Sequence, residues 1–254
     1  MVDIETRIDR IASSSCKLLD SDYKLIIPHI AQMQFEINEV YARCLIRLVS
    51  NLFKVRAFLD GYDPRKVEAI MRKLRDAGRR SAPWKPTSSK VPGRPQDGAD
   101  GNRTLRWLLP EGHKFYASEV IATLVEVKYY LQIFSMANGP DVSDYNIEQV
   151  FTPWLIENPI KKGLYVDPVQ LDVIDFNNFI EEPRTLQSGH IYPLDRGGVH
   201  HPSNTFLMLF RSNQIQGNLT VNELLGLMRD IVKKHDVAME NHSALESNIR
   251  EIKF

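Results

Sequence analysis

Apolar residues recur at intervals of three and four through the first eighty positions: Ile8, Ile11, Leu18 and Leu19, then Ile30, Met33, Ile37, Val40, Leu45, Leu48, Val49 and Phe53. That period predicts amphipathic helices, with a break at Pro28. A further helix is expected from Pro64. Asp63 suits its cap, Val67, Ile70, Met71 and Leu74 form its apolar stripe, and Gly78 stops it. Arg79 to Arg103 has no period and contains four prolines, so it reads as a loop or linker. Ser118 to Met136 is strongly apolar, ends before Asn138, Gly139 and Pro140, and predicts a core helix. Leu164 to Phe179 carries short β-rich runs cut by Pro168 and Asn177, which predicts strands. His190 to Tyr192 reads as a strand end, Pro193 to Ser203 as a polar loop built on Gly197 and Gly198, and Asn204 to Phe210 as a second strand. A short helix starting near Ser212 stops at Gly217, and Thr220 with Glu223 makes a capping box for a long helix over 221–234. The pattern predicts an α+β chain that is mostly helical. Its regions are a helical part over 1–80, a basic linker over 81–105, a central helical part over 106–150, and a carboxy-terminal ββα unit with its closing helix over 151–254.

Charge changes this picture only when it is resolved along the chain. The 254 residues carry 32 Lys and Arg against 32 Asp and Glu, which excludes a uniformly basic nucleic-acid coat. Between Ala42 and Arg106, however, 16 bases face 6 acids, while the remainder has 16 bases against 26 acids. A basic half of this kind fits an anionic partner, because each neutralised phosphate releases counterions; a solvated helical surface is the other reading. Within the linker Arg79, Arg80 and Lys85 surround Trp84, a ring suited to stacking on bases among phosphate-binding charges, or simply a tether in a solvated loop. Two cysteines, Cys16 and Cys44, build neither a disulfide framework nor a four-cysteine zinc site, so a cytoplasmic, reducing location is expected. The amino terminus MVDIETRIDRI is charged from its third residue, and no apolar run approaches the ~20 residues that cross a bilayer. No membrane partner is expected.

The densest chemistry lies between Ser188 and Asn222. The string GHIYPLDRGG, with Asn204 fourteen positions after His190 and Asn213 nine after Asn204, resembles the HNH endonucleases of the ββα-metal (His-Me finger) family. The resemblance runs from about Gln187 to Arg229 and leaves the first 150 residues untouched. It implies His190 as general base, a role an imidazole titrating near neutrality can fill. It implies Asn204 as the brace of the intervening loop, and Asn213 as the ligand, through a neutral amide oxygen, of Mg²⁺ or Mn²⁺. The carbonyl of Tyr192 would then orient His190 through its second nitrogen. Many members carry an Asp or His just before the base as a second ligand, and here Gly189 stands there. Either the ion hangs on Asn213 alone, or a remote acid among Asp175, Glu181, Glu182 and Asp195 replaces the missing one, or the scaffold binds nucleic acid or a partner protein without catalysis. No structural zinc is expected, since no cysteine follows Cys44; packing from the Ser118 and Val221 helices takes its place.

Arg196 and Arg211 in the motif suit phosphate contacts. His200 and His201, adjacent on extended chain and so pointing apart, are expected at the surface. The resemblance as a whole implies a metal-dependent endonuclease acting on double-stranded DNA. Restriction or another form of phage defence follows by analogy only. A single module cuts one strand, so a double-strand break calls for a homodimer or two successive nicks.

Overall fold

The computed structural model describes residues 3–81 and 104–251. Four helices make up the amino-terminal part: α1 (Ile4–Ala12), α2 (Asp20–Met33), α3 (Glu39–Leu59) and α4 (Pro64–Arg79). Local chemistry sets several of their ends. Asn38 Oδ1 accepts from Tyr41 N at 3.0 Å to start α3, and Asp63 Oδ1 accepts from Arg65 N at 2.7 Å to start α4, with Pro64 in its first turn. Pro28 does not break α2. Ile26, Ile27, Ile30 and Ala31 are buried on either side of it, and that packing outweighs the one backbone hydrogen bond a proline forgoes.

Helix α5 (Glu119–Ser135), capped by Ser118, lies at the centre and is buried on all sides from Ala122 to Ser135, against both α3 and α4. The crossing with α4 is close. A Cβ on Gly78 would meet Glu126 Cβ at 2.8 Å, so this glycine is required by the contact, and α4 continues one residue past it to Arg79. Four polar side chains in this apolar helix have specific partners. Glu126 is paired with Arg79, Lys128 donates to Pro202 O at 2.8 Å, Tyr129 shares a hydrogen bond with Ser188, and Gln132 accepts from Leu207 N at 3.0 Å. Three of these four tie the helix to the segment between 188 and 207.

That segment is an antiparallel pair, β1 (Leu186–His190) and β2 (Thr205–Leu209), in the register Ser188↔Leu207 and His190↔Thr205. It is followed by α7 (Phe210–Gln216) and α8 (Val221–Glu251), and α6 (Phe176–Glu181) precedes it. The Thr220–Glu223 capping box forms in both directions: Thr220 N donates to Glu223 Oε2 at 2.8 Å and Glu223 N to Thr220 Oγ1 at 3.2 Å. The strands expected between Leu164 and Phe179 are absent there. Asp167 is the reason: its buried carboxylate accepts from Val169 N, Gln170 N, Leu209 N and Ser212 Oγ, all between 2.7 and 2.9 Å, and so folds the segment into a loop that caps the start of α7. Val166 and Val173 retain one isolated bridge. The fold is α+β and mostly helical, and buried apolar residues from Ile8 to Leu207 join one core. Among the described residues no helix is long and apolar enough to cross a membrane.

Candidate active site

Side chains alternate across a strand, so Ser188 and His190 face α4 and α5 while Gln187 and Gly189 face the side of α7. His190 ends β1 with its ring turned inward. Its Nε2 lies 3.3 Å from His200 Nδ1, and His200 Nε2 lies 2.7 Å from the carbonyl oxygen of Gly78, at the end of α4. A carbonyl can only accept, so His200 carries its proton on Nε2. Its bare Nδ1 then accepts from His190 Nε2–H, which leaves Nδ1 of His190 as that ring's accepting atom. Burial and the nearby Arg106 guanidinium push His190 down to about 4, and the same two causes push His200 well below its ordinary value. Both rings are neutral at pH 7. His200, expected at the surface, is buried, because the hairpin loop folds back onto the carbonyl of Gly78, 122 residues earlier.

Asn204 precedes β2 and spans the loop between the strands. Its Oδ1 accepts from Tyr192 N at 2.8 Å, and its Nδ2 donates to Tyr192 O at 3.0 Å and to Val199 O at 2.8 Å. The Tyr192 carbonyl is therefore engaged by Asn204, and His200 partners His190 where that carbonyl was expected to.

A cavity of about 950 Å³ opens beside His190, between α4 and the hairpin. Arg72, Lys73, Arg80, Arg106 and Arg184 line it with Ser188 and His190, against one carboxylate, Asp76, which sits 3.6 Å from Arg80 Nε. Arg106 is anchored to Gly78 O at 3.2 Å and to Phe115 O at 3.1 Å, which fixes its charge under the floor. Of these cations the sequence singled out Arg80 alone. Arg72, Lys73, Arg106 and Arg184 are scattered over more than a hundred positions; the surplus of bases between 42 and 106 pointed towards the first three, and nothing towards Arg184.

The other sequence-selected cations are placed differently. Arg79 is committed to the buried Glu126, whose carboxyl is pushed up by burial and drawn back by that guanidinium. Arg196 pairs with Glu223, at 3.0 Å for Nη2, and lies 5.7 Å from the Tyr192 ring centroid. Glu223 is held down to about 2 by Arg196 and the Thr220 amide. Arg211 lines a separate cavity beyond β2. Trp84 and Lys85 lie outside the described residues, whose flanks are clasped by the Arg80–Leu105 bridge.

No family model and no curated protein matches this chain. Among solved structures, one described as a crystal structure of a type II restriction endonuclease superposes on 67% of this chain and 78% of its own, with a TM-score of 0.45 and 12% sequence identity. A likeness so slight assigns neither the fold nor the activity.

The donor set offered to a divalent ion is thin. Asn213 on α7 donates from Nδ2 to Gln187 Oε1 at 2.8 Å, on the hairpin face opposite the His190 ring. Gly189 contributes no ligand and has no room for one, since a Cβ there would meet Met208 Sδ at 2.2 Å and Phe206 Cε2 at 3.1 Å. Of the four acids named as alternative ligands, Asp195 pairs with Lys114, Glu181 with Lys66, and Asp175 caps α6. Glu182 alone reaches a cavity, the one it shares with Lys73, Arg184 and Arg211. Among the described residues no three His, Cys, Asp or Glu side chains converge. One neutral amide oxygen does not fit a resident Mg²⁺ or Mn²⁺ site.

Proposed function

We propose that the chain is an endonuclease that hydrolyses phosphodiester bonds in double-stranded DNA, with His190 as its general base. One observation carries the reading: a histidine whose accepting nitrogen is defined by its partners stands at the wall of a cavity with five cations and a single, already paired acid. An anionic backbone is the ligand such a wall attracts. The HNH-like spacing of His190 and Asn204 supports the same assignment, and a role in restriction remains an analogy on it.

In the proposed reaction a water hydrogen-bonded to Nδ1 of His190 attacks phosphorus. Its proton passes to Nδ1, the bond to the 3′ oxygen breaks, and the leaving oxygen takes the bonding pair and a proton from solvent. His200 holds the ring by its Nε2–H throughout. Charge that builds on the phosphoryl oxygens faces Arg72 and Arg80, and each well-aimed donor of this kind contributes on the order of 10²–10³ in rate. Asn204 keeps the 192–199 loop, and so the strand end bearing His190, in one conformation.

The test is incubation of the purified protein with supercoiled plasmid and phage DNA, with Mg²⁺, with Mn²⁺ and with EDTA, beside His190→Ala. Cleavage lost in the variant, with DNA binding retained, is the expected result. Cutting that vanishes in EDTA would show that an ion carried in with the substrate is needed, whereas cutting that persists would assign the charge neutralisation to the cavity's cations. A variant that cuts as well as the parent would sink the assignment. Equal binding with no cleavage by either protein would favour a non-catalytic nucleic-acid-binding subunit.

A further inference from the structure

A second cavity, of about 770 Å³, adjoins the first and shares Lys73, Arg184 and Gln187 with it. It lies at the opposite end of the hairpin from His190, where Leu209 and Phe210 pass from β2 into α7. Three cations border it, Lys73, Arg184 and Arg211, and none forms an ion pair among the described residues; Glu182 is the one carboxylate at its rim. Burial and the facing Arg184 guanidinium push the Lys73 ammonium below its ordinary range. Three cations facing one carboxylate leave the cavity a net positive charge, a standing cost relieved when an anion enters.

The remaining walls are of another kind. Leu209 and the half-exposed Phe210 ring give an apolar side. Two amides have one end occupied and the other available. Gln187 Oε1 accepts from Asn213, which leaves its NH₂ group as a donor, and Gln170 Nε2 donates to Ser212 Oγ at 2.8 Å, which leaves its carbonyl as an acceptor. An aromatic face, a fixed donor, a fixed acceptor and adjacent cations match the parts of one nucleotide: a planar base with polar edges, joined to a phosphate.

We propose that this cavity holds a single unpaired nucleotide of the bound strand, its base against Phe210 and Leu209 with its edge on Gln170 and Gln187, and its phosphate between Lys73 and Arg184. The proposal rests on the nucleic-acid reading and adds the site at which a base is selected. Gln187 and His190 are three residues apart on β1, which at about 3.3 Å per residue is about 10 Å. The held nucleotide therefore lies one or two positions along the strand from the phosphate at His190. Taking a base out of a duplex costs a few kcal/mol, least where it is mismatched or already single-stranded.

The experiment titrates the full chain with the four deoxynucleoside monophosphates, with deoxynucleosides and with inorganic phosphate, following ¹H–¹⁵N spectra, while duplex binding is measured in parallel by fluorescence anisotropy. At least one nucleotide is expected to bind on the order of tenfold more tightly than phosphate or any nucleoside. Phe210→Ala should reduce that preference roughly tenfold while leaving phosphate binding in place, as loss of a base–aromatic stack does. Lys73→Gln should weaken nucleotide and phosphate together. A nucleotide no better than phosphate, or one indifferent to Phe210→Ala in a variant with native spectra, overturns the site even if duplex binding persists. Absence of all duplex binding would instead remove the nucleic-acid reading, and the nucleotide site with it.

Discussion

Acidification from pH 6.5 to 4.5 should weaken the native state by about 2 kcal/mol through His190 alone. In the unfolded chain this ring titrates near 6.5; in the fold, burial and Arg106 bring it to about 4. A depressed folded value means that the stabilisation is complete above the unfolded value and is lost as the pH falls towards the folded one. At pH 4.5 the unfolded ring is almost wholly protonated and the folded ring only about one quarter so, which gives the ~2 kcal/mol by proton linkage. Urea denaturation at the two pH values, for the parent and for His190→Gln, isolates the contribution. The amide preserves a donor towards His200 and does not titrate, while His200, shifted in the same direction, is common to both proteins. The parent should lose about 2 kcal/mol more than the variant. Parallel losses would show that the His190 ring is not sequestered next to His200 and Arg106, and the tautomer drawn from that contact would fall too.

The proposed base predicts an unusual rate profile: the acidic limb of kcat/KM should fall near pH 4, and that of kcat should lie higher, because a bound phosphate anion offsets Arg106 and raises the ring's pKa. Gly189→Asp, which would install the acid common in HNH enzymes, should destabilise the protein by roughly 1–3 kcal/mol or more in thermal melts rather than increase metal-dependent cutting, because Met208 and Phe206 fill the space; enhanced activity would contradict the packing. Arg79→Ala should cost about 3–5 kcal/mol by stranding Glu126. Arg184→Ala should instead leave stability within about 0.5 kcal/mol and lower the slope of log affinity against log salt by about one, as removal of one phosphate contact does; equal effects of the two substitutions would erase the distinction between a structural and a ligand-facing arginine.

The parts of the fold legible in the sequence are those decided within a few residues. Asp63 and the Thr220–Glu223 pair cap the helices they were expected to, and the apolar period outlined α3, α4 and α5. Misreadings came where a distant partner overruled local chemistry. The β-rich run after Leu164 became a loop because Asp167 has partners on β2 and α7 more than forty residues ahead. Pro28 sits inside a helix because the core needs isoleucines on both sides of it. The spacing singled out His190 and Asn204 but gave no sign that His190 would turn away from Asn213, since that depends on strand parity and on where α4 ends. His200 was misplaced for the same reason: an imidazole beside a glycine-rich turn is locally indistinguishable from a surface residue.

The carbonyl of Gly78 has a consequence for the order of events during synthesis. It emerges from the ribosome more than a hundred residues before His190, yet it determines which nitrogen of that ring is bare. Until the hairpin has docked on α4, the imidazole is free to exchange tautomers and titrates as it does in water. Under the proposed function, a nascent or partly unfolded chain therefore lacks the fixed accepting nitrogen on which cleavage would depend, and gains it only once its two ends have found each other.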